Sequence, residues 1–329
     1  MQKLYKRLIV IGIILLFFNN LNAQKVDYSV VSVPEESGIE FMQITSDGDY
    51  VCMPVVTRNR SKISWAANRI IDIAPNGNDI AYLSYRNNSS NIFIKALGKQ
   101  GSSIQRTNRA NITDFSFSPD GQNICFSETR GKNNQIFLTS AINGYVCRQI
   151  TNGNLDYSPV YSLDMKHIFF ARQEAKGISI WSHNIEDNFL SNYTTGMNPC
   201  YSYEKNIFFC TRINAEGRGE IWKINYEAGI EECIVSDTER SFTCPIISPN
   251  GKYLLIVGSS KITRGKYTYL NTDIYVAHAD GTNLQQITYH AADDLSPVWS
   301  KDGKYIYFIS QRGSAESIAN IWRMTFNNF

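Results

Sequence analysis

A short turn motif that recurs six times constrains the fold of this chain more than any other feature of its sequence. The motif reads Ser-Pro-Asp-Gly at residues 118–121 and Ser-Pro-Asn-Gly at residues 248–251, and the other copies are less regular. The copies begin at residues 74, 118, 162, 202, 248 and 300, so their spacings are 44, 44, 40, 46 and 52 residues. A repeat of about 40 to 50 residues built from short strands is typical of the blades of a β-propeller.

Each repeat contains four short apolar segments separated by turn signals. In the second repeat these segments are residues 114–118, 123–127, 135–138 and 147–151. Proline pre-sets φ in the Pro-Asp-Gly turn, and glycine accepts the positive φ that a hairpin with a bulge requires. Four strands joined by hairpins make one antiparallel blade.

The second and third strands of the repeats are suited to sheets that pack against neighbours on both faces. The second strands are apolar on both sides, as in Ile306-Tyr307-Phe308-Ile309, whereas a strand with one solvated face would alternate. The third strands each carry an isoleucine followed by an aromatic residue, at 92–93, 136–137, 180–181, 221–222, 274–275 and 321–322. Both patterns favour blades stacked around a common axis.

The last repeat ends near Met324 without a fourth strand, and a matching segment stands before the first repeat. Residues 41–45, Phe-Met-Gln-Ile-Thr, share Gln-Ile-Thr with the fourth-strand segments 149–151 and 286–288. The N-terminal segment can therefore complete the last blade and remove its free edge. The sequence predicts an all-β fold, a six-bladed β-propeller of four-stranded antiparallel blades closed by an N-terminal strand.

The N-terminus has the pattern of an export signal. Lys3, Lys6 and Arg7 precede a short apolar run, and residues 21–23, Leu-Asn-Ala, end in a small residue. We predict a cleaved signal peptide at 1–23, a short segment at 24–40 and the propeller at 41–329; an uncleaved anchor is the alternative. Removal of the signal lowers Lys plus Arg from 32 to 29 against 30 acidic residues. This near-neutral charge predicts neither nucleic acid nor an anionic membrane as a partner, and the mature chain is predicted to have no membrane span.

The cysteines and histidines do not form a recognisable ligand pattern. The seven cysteines are odd in number and lack CxxC spacing, so buried thiols are the simpler interpretation. Cys200 and Cys244 flank prolines of adjacent first strands and are the one pair proposed as a disulfide. The four histidines fall at different repeat positions. We predict no cofactor, apart from Ca²⁺ as an option at the channel mouth.

The repeats resemble those of the TolB-like propellers, a WD40-like family. Residues 296–308, Ser-Pro-Val-Trp-Ser-Lys-Asp-Gly-Lys-Tyr-Ile-Tyr-Phe, follow the family pattern of a proline, a tryptophan, a Ser-Pro-Asp-Gly-like turn and an apolar strand. The resemblance implies an exported, periplasmic scaffold that binds protein; other family members gate peptidases or act on sugars. The chain departs from TolB in having only residues 24–40 before the first strand, where TolB has an α/β domain. It has no Gly-x-Ser-x-Gly motif of a hydrolase.

A basic residue opens the connection between the second and third strands of every repeat. These residues are Arg86, Arg130, Arg172, Arg212, Lys261 and Arg312. Arginine suits planar carboxylates, so a ring of such residues at one mouth could hold an acidic peptide or a sugar acid. The alternative is that each arginine pairs with an acid or carbonyl of the neighbouring blade and serves the fold.

Acidic residues lie in the connections between blades, at the same predicted mouth. They are Asp156, Asp293 and Asp294, with His290 beside the last two. Two carboxylates at a channel mouth could form an acid–base pair or bind Ca²⁺. Opposite blades would separate Asp156 from Asp294, and the alternative is that both cap turns.

The longest connection between second and third strands is predicted at residues 259–271, in the fifth repeat. It holds Lys261, Arg264, Lys266 and Tyr267 and no acidic residue, a composition suited to a protein or glycan contact. A solvated insertion is the alternative.

Together these features predict a non-enzymatic scaffold that binds a protein, peptide or glycan in the cell envelope, in the periplasm or at the outer surface. The competing hypothesis is an enzyme acting on a polysaccharide or peptide at the channel mouth.

Overall fold

The computed structural model describes residues 28–54, 69–98, 101–109, 111–144, 146–152, 155–202, 206–264 and 267–327. The predicted signal peptide and Lys266 lie outside these ranges. Apart from two short 3-10 turns at Pro34–Glu36 and Asp47–Asp49, the regular structure in these ranges is strand. Within them, no helix has the length and apolar character needed to cross a bilayer.

Twenty-four strands are described, and they group into successive four-stranded meanders. The first strand, β1 (Phe41–Gln43), precedes the meanders. Meander 1 contains β2 (Ile71–Ile73), β3 (Asp79–Arg86), β4 (Ser89–Ala96) and β5 (Ile104–Gln105). Meander 2 contains β6 (Ile112–Phe117), β7 (Asn123–Arg130), β8 (Asn133–Ser140) and β9 (Cys147–Gln149). Meander 3 contains β10 (Leu155–Tyr161), β11 (His167–Glu174), β12 (Gly177–Asn184) and β13 (Leu190–Thr195).

The second half of the chain repeats the same order. Meander 4 contains β14 (Met197–Tyr201), β15 (Ile207–Ile213), β16 (Gly219–Asn225) and β17 (Ile230–Val235). Meander 5 contains β18 (Ser241–Ile247), β19 (Tyr253–Arg264), β20 (Tyr267–His278) and β21 (Gln285–Gln286). Meander 6 contains β22 (Asp294–Trp299), β23 (Tyr305–Ser310) and β24 (Asn320–Thr325), and it is completed by β1.

The first strands of the meanders meet in a closed circle. In the described part of the chain, β2 contacts β6, β6 contacts β10, and the series continues through β14 and β18 to β22, which contacts β2 again. Within each meander, neighbouring strands pair antiparallel. Meanders 2 and 3 share one sheet through a single parallel pair, Leu155 with Asn134. This arrangement confirms the predicted all-β propeller of four-stranded antiparallel sheets around an axis.

The N-terminal strand closes the circle as predicted. Residues of β1 pair antiparallel with β24, and Phe41 lies opposite Met324. The segment also reproduces the hydrogen bonds of its counterparts: Thr45 accepts the amide of Ile321 at 2.9 Å, as Thr107 accepts that of Ile92 at 2.9 Å. The sequence pattern that residues 41–45 share with the fourth strands therefore corresponds to a shared position and shared hydrogen bonds in the fold.

The Pro-Asp-Gly segments form the predicted turns between first and second strands. Gly121 and Gly251 have φ values of 72° and 73°, and each amide donates to the carbonyl of the serine three residues earlier. In meander 3 the same position is held by Met165, with φ of 59° and the same hydrogen bond to Ser162. We call the end of the sheets that carries these turns the turn face, and the opposite end the loop face.

The hydrophobic core lies between successive sheets. Second-strand residues such as Ile80, Phe126 and Phe308 are fully buried, which explains why these strands are apolar on both faces. One cluster joins meanders 1, 2 and 6, so packing continues across the closure.

Residues 259–271 are not the loop that the sequence predicted. Strands β19 and β20 continue through the segment as a long hairpin, and they remain paired from Ser260–Asn271 to Arg264–Tyr267. Aromatic and β-branched residues such as Ile262 and Thr268 favour extended backbone, and this preference outweighs the basic, polar character on which the loop was predicted. Lys261 is exposed on this hairpin.

Candidate functional site

The arginines predicted at the loop face lie against aromatic rings of their own meanders. The guanidinium carbon lies 4.3 to 4.7 Å from the ring centre of the third-strand aromatic residue in four pairs: Arg86–Phe93, Arg130–Phe137, Arg172–Trp181 and Arg212–Trp222. Such contacts stabilise a cation over the negative face of a ring. The repeated pairing of arginine with the third-strand aromatic residue therefore serves each sheet.

The same arginines also make ion pairs or carbonyl contacts. Arg172 binds Asp156 through two hydrogen bonds of 2.7 and 3.0 Å, and both residues are buried. Their partners are mostly in the same sheet, whereas the sequence-based alternative placed them in the neighbouring blade. Arg212 also reaches outside its sheet, since its Nε donates to the carbonyl of Thr195 in meander 3, in addition to its ion pair with Glu231. Arg86 donates to the carbonyl of Asp49, in the segment between β1 and β2.

Arg312 joins the N-terminal segment to meander 6. Its guanidinium donates to Glu36 at 3.1 and 3.3 Å and to Asp294 at 2.6 Å, and all three side chains are fully buried. Burial opposes the charge, but Asp294 and Glu36 raise the pKa of Arg312 above its usual value. Asp156 and Asp294 thus each neutralise an arginine, which is a different role from the predicted acid–base pair or turn cap.

A further carboxyl group, missed by the sequence analysis, lies beside Asp294. Asp273 is buried in β20 and accepts a hydrogen bond from Asn271 at 2.9 Å. Burial, together with the nearby charges of Asp294, Asp293 and Glu36, raises the pKa of Asp273 to about 9. His290, in the same region, accepts the amide of Ala292 at its Nδ1. No group of three or more His, Cys, Asp or Glu side chains among the described residues is placed to hold a metal ion, and the Ca²⁺ hypothesis stays a prediction.

A cavity of about 210 Å³ opens on the axis at the turn face. Every meander contributes the end of its first strand to the lining, and turn residues of meanders 1, 2, 3, 5 and 6 also line it. One layer of the lining comes from the repeat position just before the turn, and it is formed by Ile73, Phe117, Tyr161, Tyr201, Ile247 and Trp299. The turns themselves form the mouth, with Pro75, Pro119, Leu163, Pro249 and Lys301.

The floor of the cavity is polar. Arg69 and Asp72 line it, and Asp72 accepts the amide of Phe117 at 3.0 Å, which links meanders 1 and 2. Arg69 also lines a second axial cavity of about 30 Å³, next to Asp114. Burial raises the pKa of Asp114 to about 6, against the hydrogen bonds it accepts from Ser127 and the amide of Ser158. The axis therefore changes from apolar at the turn face to charged further inside.

Two cysteines also line the axis, and neither is bridged. Cys200 borders the larger cavity and Cys244 the smaller one, and none of the seven cysteines forms a disulfide in this structure. The sulfur of Cys200 accepts the amide of Ile247 at 3.3 Å, and burial raises the pKa of this thiol. The proposed Cys200–Cys244 disulfide is absent.

The sequence analysis directed attention to the loop face and missed the cavity. A signal was present, because four of the six residues just before the turns are aromatic, namely Phe117, Tyr161, Tyr201 and Trp299. Strand alternation and the closed circle of first strands place this repeat position on the axis. The acidic residue in Ile71-Asp72-Ile73 was a second signal, since a carboxyl group is unusual in a short apolar strand.

Comparisons with known proteins agree with the strand topology. A family model described as the TolB beta propeller domain matches residues 34–231. The fold is similar to that of a putative TolB from Agrobacterium tumefaciens, with a TM-score of 0.57 and 16% identity, over 79% of this chain and 90% of that one. For TolB from Acinetobacter baumannii the TM-score is 0.59 and the identity 16%, over 76% of this chain and 64% of that one.

An enzyme shares the architecture equally well. The oligogalacturonate lyase VPA0088 from Vibrio parahaemolyticus is similar with a TM-score of 0.57 and 10% identity, over 91% of this chain and 96% of that one. At such identities the likeness extends to the fold, and the same fold supports different functions.

Proposed function

Because the chain belongs to the TolB beta propeller domain family, we propose that it is an exported, non-enzymatic scaffold that binds a protein partner in the cell envelope. We further propose that the partner enters the axial cavity at the turn face. The observation that carries this proposal is the cavity itself, since the first strands of all the meanders converge on one apolar, largely aromatic layer above a charged floor. Apolar concave sites with a few polar groups are the usual form of a binding site.

The size of the cavity favours a side chain or a short segment of a protein over a whole small ligand. Its volume of about 210 Å³ lies below the roughly 300–1,000 Å³ of pockets that enclose drug-sized molecules. Trp299 and Tyr201 offer apolar contact area at low entropic cost, and Arg69 and Asp72 offer hydrogen bonds to a peptide backbone or a polar side chain. A partner segment that inserts one apolar side chain can pack it against the aromatic layer and bring its backbone to the polar floor.

The competing enzyme hypothesis relied on Asp156 and Asp294, and the geometry of these residues gives it little support. Each carboxylate is buried in an ion pair with Arg172 or Arg312, so neither is placed to exchange protons with a substrate. The similarity to the oligogalacturonate lyase supports the architecture and no particular substrate for this chain.

The proposal is tested by cross-linking the mature chain to its partner in the envelope fraction of its own cells. Leu163→Glu places a charge at the mouth of the cavity, and we expect loss of the cross-linked product. The matched control is Ile213→Glu, because Ile213 is exposed to a similar degree at the loop-face end of β15. The control should retain the product, and both variants should melt like the parent.

The same experiment separates the two faces of the propeller. Reversing the charges of Lys261, Arg264 and Lys266 alters the hairpin that the sequence analysis favoured, without altering the cavity. If this triple variant loses the cross-linked product and Leu163→Glu retains it, the partner binds the loop face and the cavity proposal is wrong. Absence of the mature chain from the envelope fraction would contradict the proposed location.

A further inference from the structure

An apolar surface extends outwards from the cavity across meanders 3 and 4. We define the apolar belt as Phe189, Tyr193, Tyr226 and Ile230. Phe189, Tyr226 and Ile230 lie at or next to the turns between the third and fourth strands, and Tyr193 lies within β13. Phe189 is 66% exposed, and Tyr226 and Ile230 are each 59% exposed. The matching turn of meander 5 carries Asp280 and no exposed large apolar side chain among the described residues. The matching turn of meander 2 also carries exposed apolar side chains, Ile142 and Val146, so the belt continues this apolar character of the turn face and ends before meander 5.

A row of aromatic rings connects the belt to the cavity. Tyr226 stacks on Tyr193 with ring centres 4.3 Å apart and planes 17° apart. Tyr193 packs edge-on against Phe169 at 4.9 Å, and Phe169 stacks on Tyr201 at 5.7 Å. Tyr201 lines the cavity. The exposed ring of Tyr226 is thus held in place by packing that leads to the axis.

The charges beside the belt are mainly negative. The turns at residues 185–189 and 226–229 contain Glu186, Asp187 and Glu227, all exposed, and no basic residue. Arg148 from β9 reaches the first of these turns and donates to Asn188 at 2.7 Å and to the carbonyl of Ile185 at 3.3 Å. Lys166 is a second cation nearby, because its carbonyl accepts the amide of Ile185 at 2.8 Å. A ligand on the belt therefore meets an excess of carboxylates around an apolar centre.

We propose that the belt is a docking surface for an extended segment of a protein that carries apolar side chains flanked by lysine or arginine. This inference rests on the proposed function and deepens it, because the same partner fills the cavity with one residue and the belt with others. Large apolar patches rimmed by polar residues mark protein interaction sites, and complementary charge selects the partner. A cluster of exposed rings at the centre of such a surface provides the anchoring contacts.

The test uses three short synthetic peptides in which tryptophan and leucine alternate with lysine, with serine or with glutamate. Binding is measured by fluorescence anisotropy at low and high salt. We expect the lysine peptide to bind most tightly and the glutamate peptide least, and salt should reduce the difference because exposed charges are screened. The double variant Phe189→Ser, Tyr226→Ser should lose about tenfold or more in affinity.

Matched variants make the result specific to the belt. Tyr85→Ser removes a ring that is 53% exposed at the other end of the sheets, and it should leave affinity unchanged. Replacing Glu186, Asp187 and Glu227 by their amides should remove the preference for lysine and leave the serine peptide unaffected. Circular dichroism melts establish that each variant is folded.

Each outcome decides between defined alternatives. If Leu163→Glu abolishes binding and the belt variant does not, the cavity proposal stands and the belt inference is wrong. If the belt variant alone loses binding, the belt inference stands and the cavity proposal is wrong. Failure of all three peptides, or a preference for the glutamate peptide, overturns the belt inference. Concentration-dependent self-association that Phe189→Ser abolishes identifies the occupant as a second copy of the chain and likewise overturns it.

Discussion

At the scale of single residues, Met165 occupies a position that favours glycine. Its φ of 59° matches the values of 71° to 73° at Gly77, Gly121, Gly251 and Gly303 in the other turns. A left-handed conformation costs a residue with a Cβ atom roughly 1–2 kcal/mol. The turn at Ser162 keeps its hydrogen bonds in spite of this cost, so the fold tolerates a less favourable residue where the other turns have glycine.

We predict that Met165→Gly stabilises the protein by about 0.5–1 kcal/mol, since relief of the strain exceeds the greater chain entropy of glycine. The reverse change, Gly251→Met, should destabilise by a similar amount, because a Cβ atom at Gly251 meets no atom within 4 Å and only the conformation is affected. Urea unfolding with unchanged m-values measures both. Equal stability of Met165→Gly and the parent would show that the turn relaxes around Met165.

Asp273 gives the stability of the protein a dependence on pH. Its pKa is about 9 in the fold and near the usual value of 3.8 in the unfolded chain, so the folded state holds an extra proton between these values. The contribution of Asp273 to the free energy of unfolding therefore falls as pH rises from about 4 to about 9. The facing groups are Asp293, Asp294 and Glu36, with Arg312 behind them.

We predict that Asp273→Asn raises the melting temperature, and that the gain grows from pH 5 to pH 9. The amide keeps the shape of the side chain and cannot lose a proton, so the variant avoids the free-energy cost of a buried charge at this position. The control is Asp280→Asn on the same meander, where hydrogen bonds from Thr282 lower the pKa of the carboxyl group. This group is ionised in both the folded and unfolded states between pH 5 and pH 9, so the effect of the control should not change with pH in this range. A gain for Asp273→Asn that is constant with pH would contradict the assigned ionisation.

At the scale of elements, the joint between β1 and β24 uses the same contacts as an ordinary fourth strand. Thr45 donates to Asn320 at 2.8 Å, and Thr107 donates to Asn91 at 3.0 Å. The two strands differ in how the chain continues from them. Strand β5 is preceded and followed by strands of the circle, whereas β1 is connected to the circle only through the segment that follows it. An opening of β1 is therefore opposed by fewer covalent constraints.

We predict that Thr45→Val and Thr107→Val each lower the free energy of unfolding by about 1–3 kcal/mol, since each leaves buried polar groups without a partner. Only Thr45→Val should accelerate proteolytic cleavage within residues 28–45, because β1 is joined covalently to the circle on one side only and is otherwise held by non-covalent contacts such as the Glu36–Arg312 ion pair. Limited proteolysis of the native proteins measures this. Equal rates of local cleavage around the two threonines would mean that the joint is no weaker than an internal strand pair.

At the scale of the whole molecule, the repeat made the fold predictable. Turn residues such as Pro119 and Gly121 act locally, and the apolar second strands follow from burial on both faces, so both can be recognised along the chain. The hairpin at 259–271 was predicted wrongly because the β-propensity of residues such as Ile262 competed with a basic, polar composition. The pairing of Gln43 and Thr45 with β24 was predicted because these residues share a pattern with distant fourth strands.

The candidate site was much less predictable than the fold. The cavity combines residues from Arg69 to Lys301, and their proximity depends on the closure of the circle. The loop-face arginines were visible as a series, but their stacking on rings such as Phe93 depends on side-chain directions that spacing does not determine. Asp273 was missed for the same reason, since its raised pKa arises from burial and from the charges of Asp294 and Glu36 in other elements.

The pairing of Phe41 with Met324 sets an order of events during synthesis. The partner of β1 is made about 280 residues later, which takes roughly 15–60 s at the usual speed of a ribosome. During this interval the meanders can form one after another, while both edges of β1 have no partner strand. The circle of sheets therefore cannot close before β24 has been made, so closure joins the earliest and the latest strands of the fold.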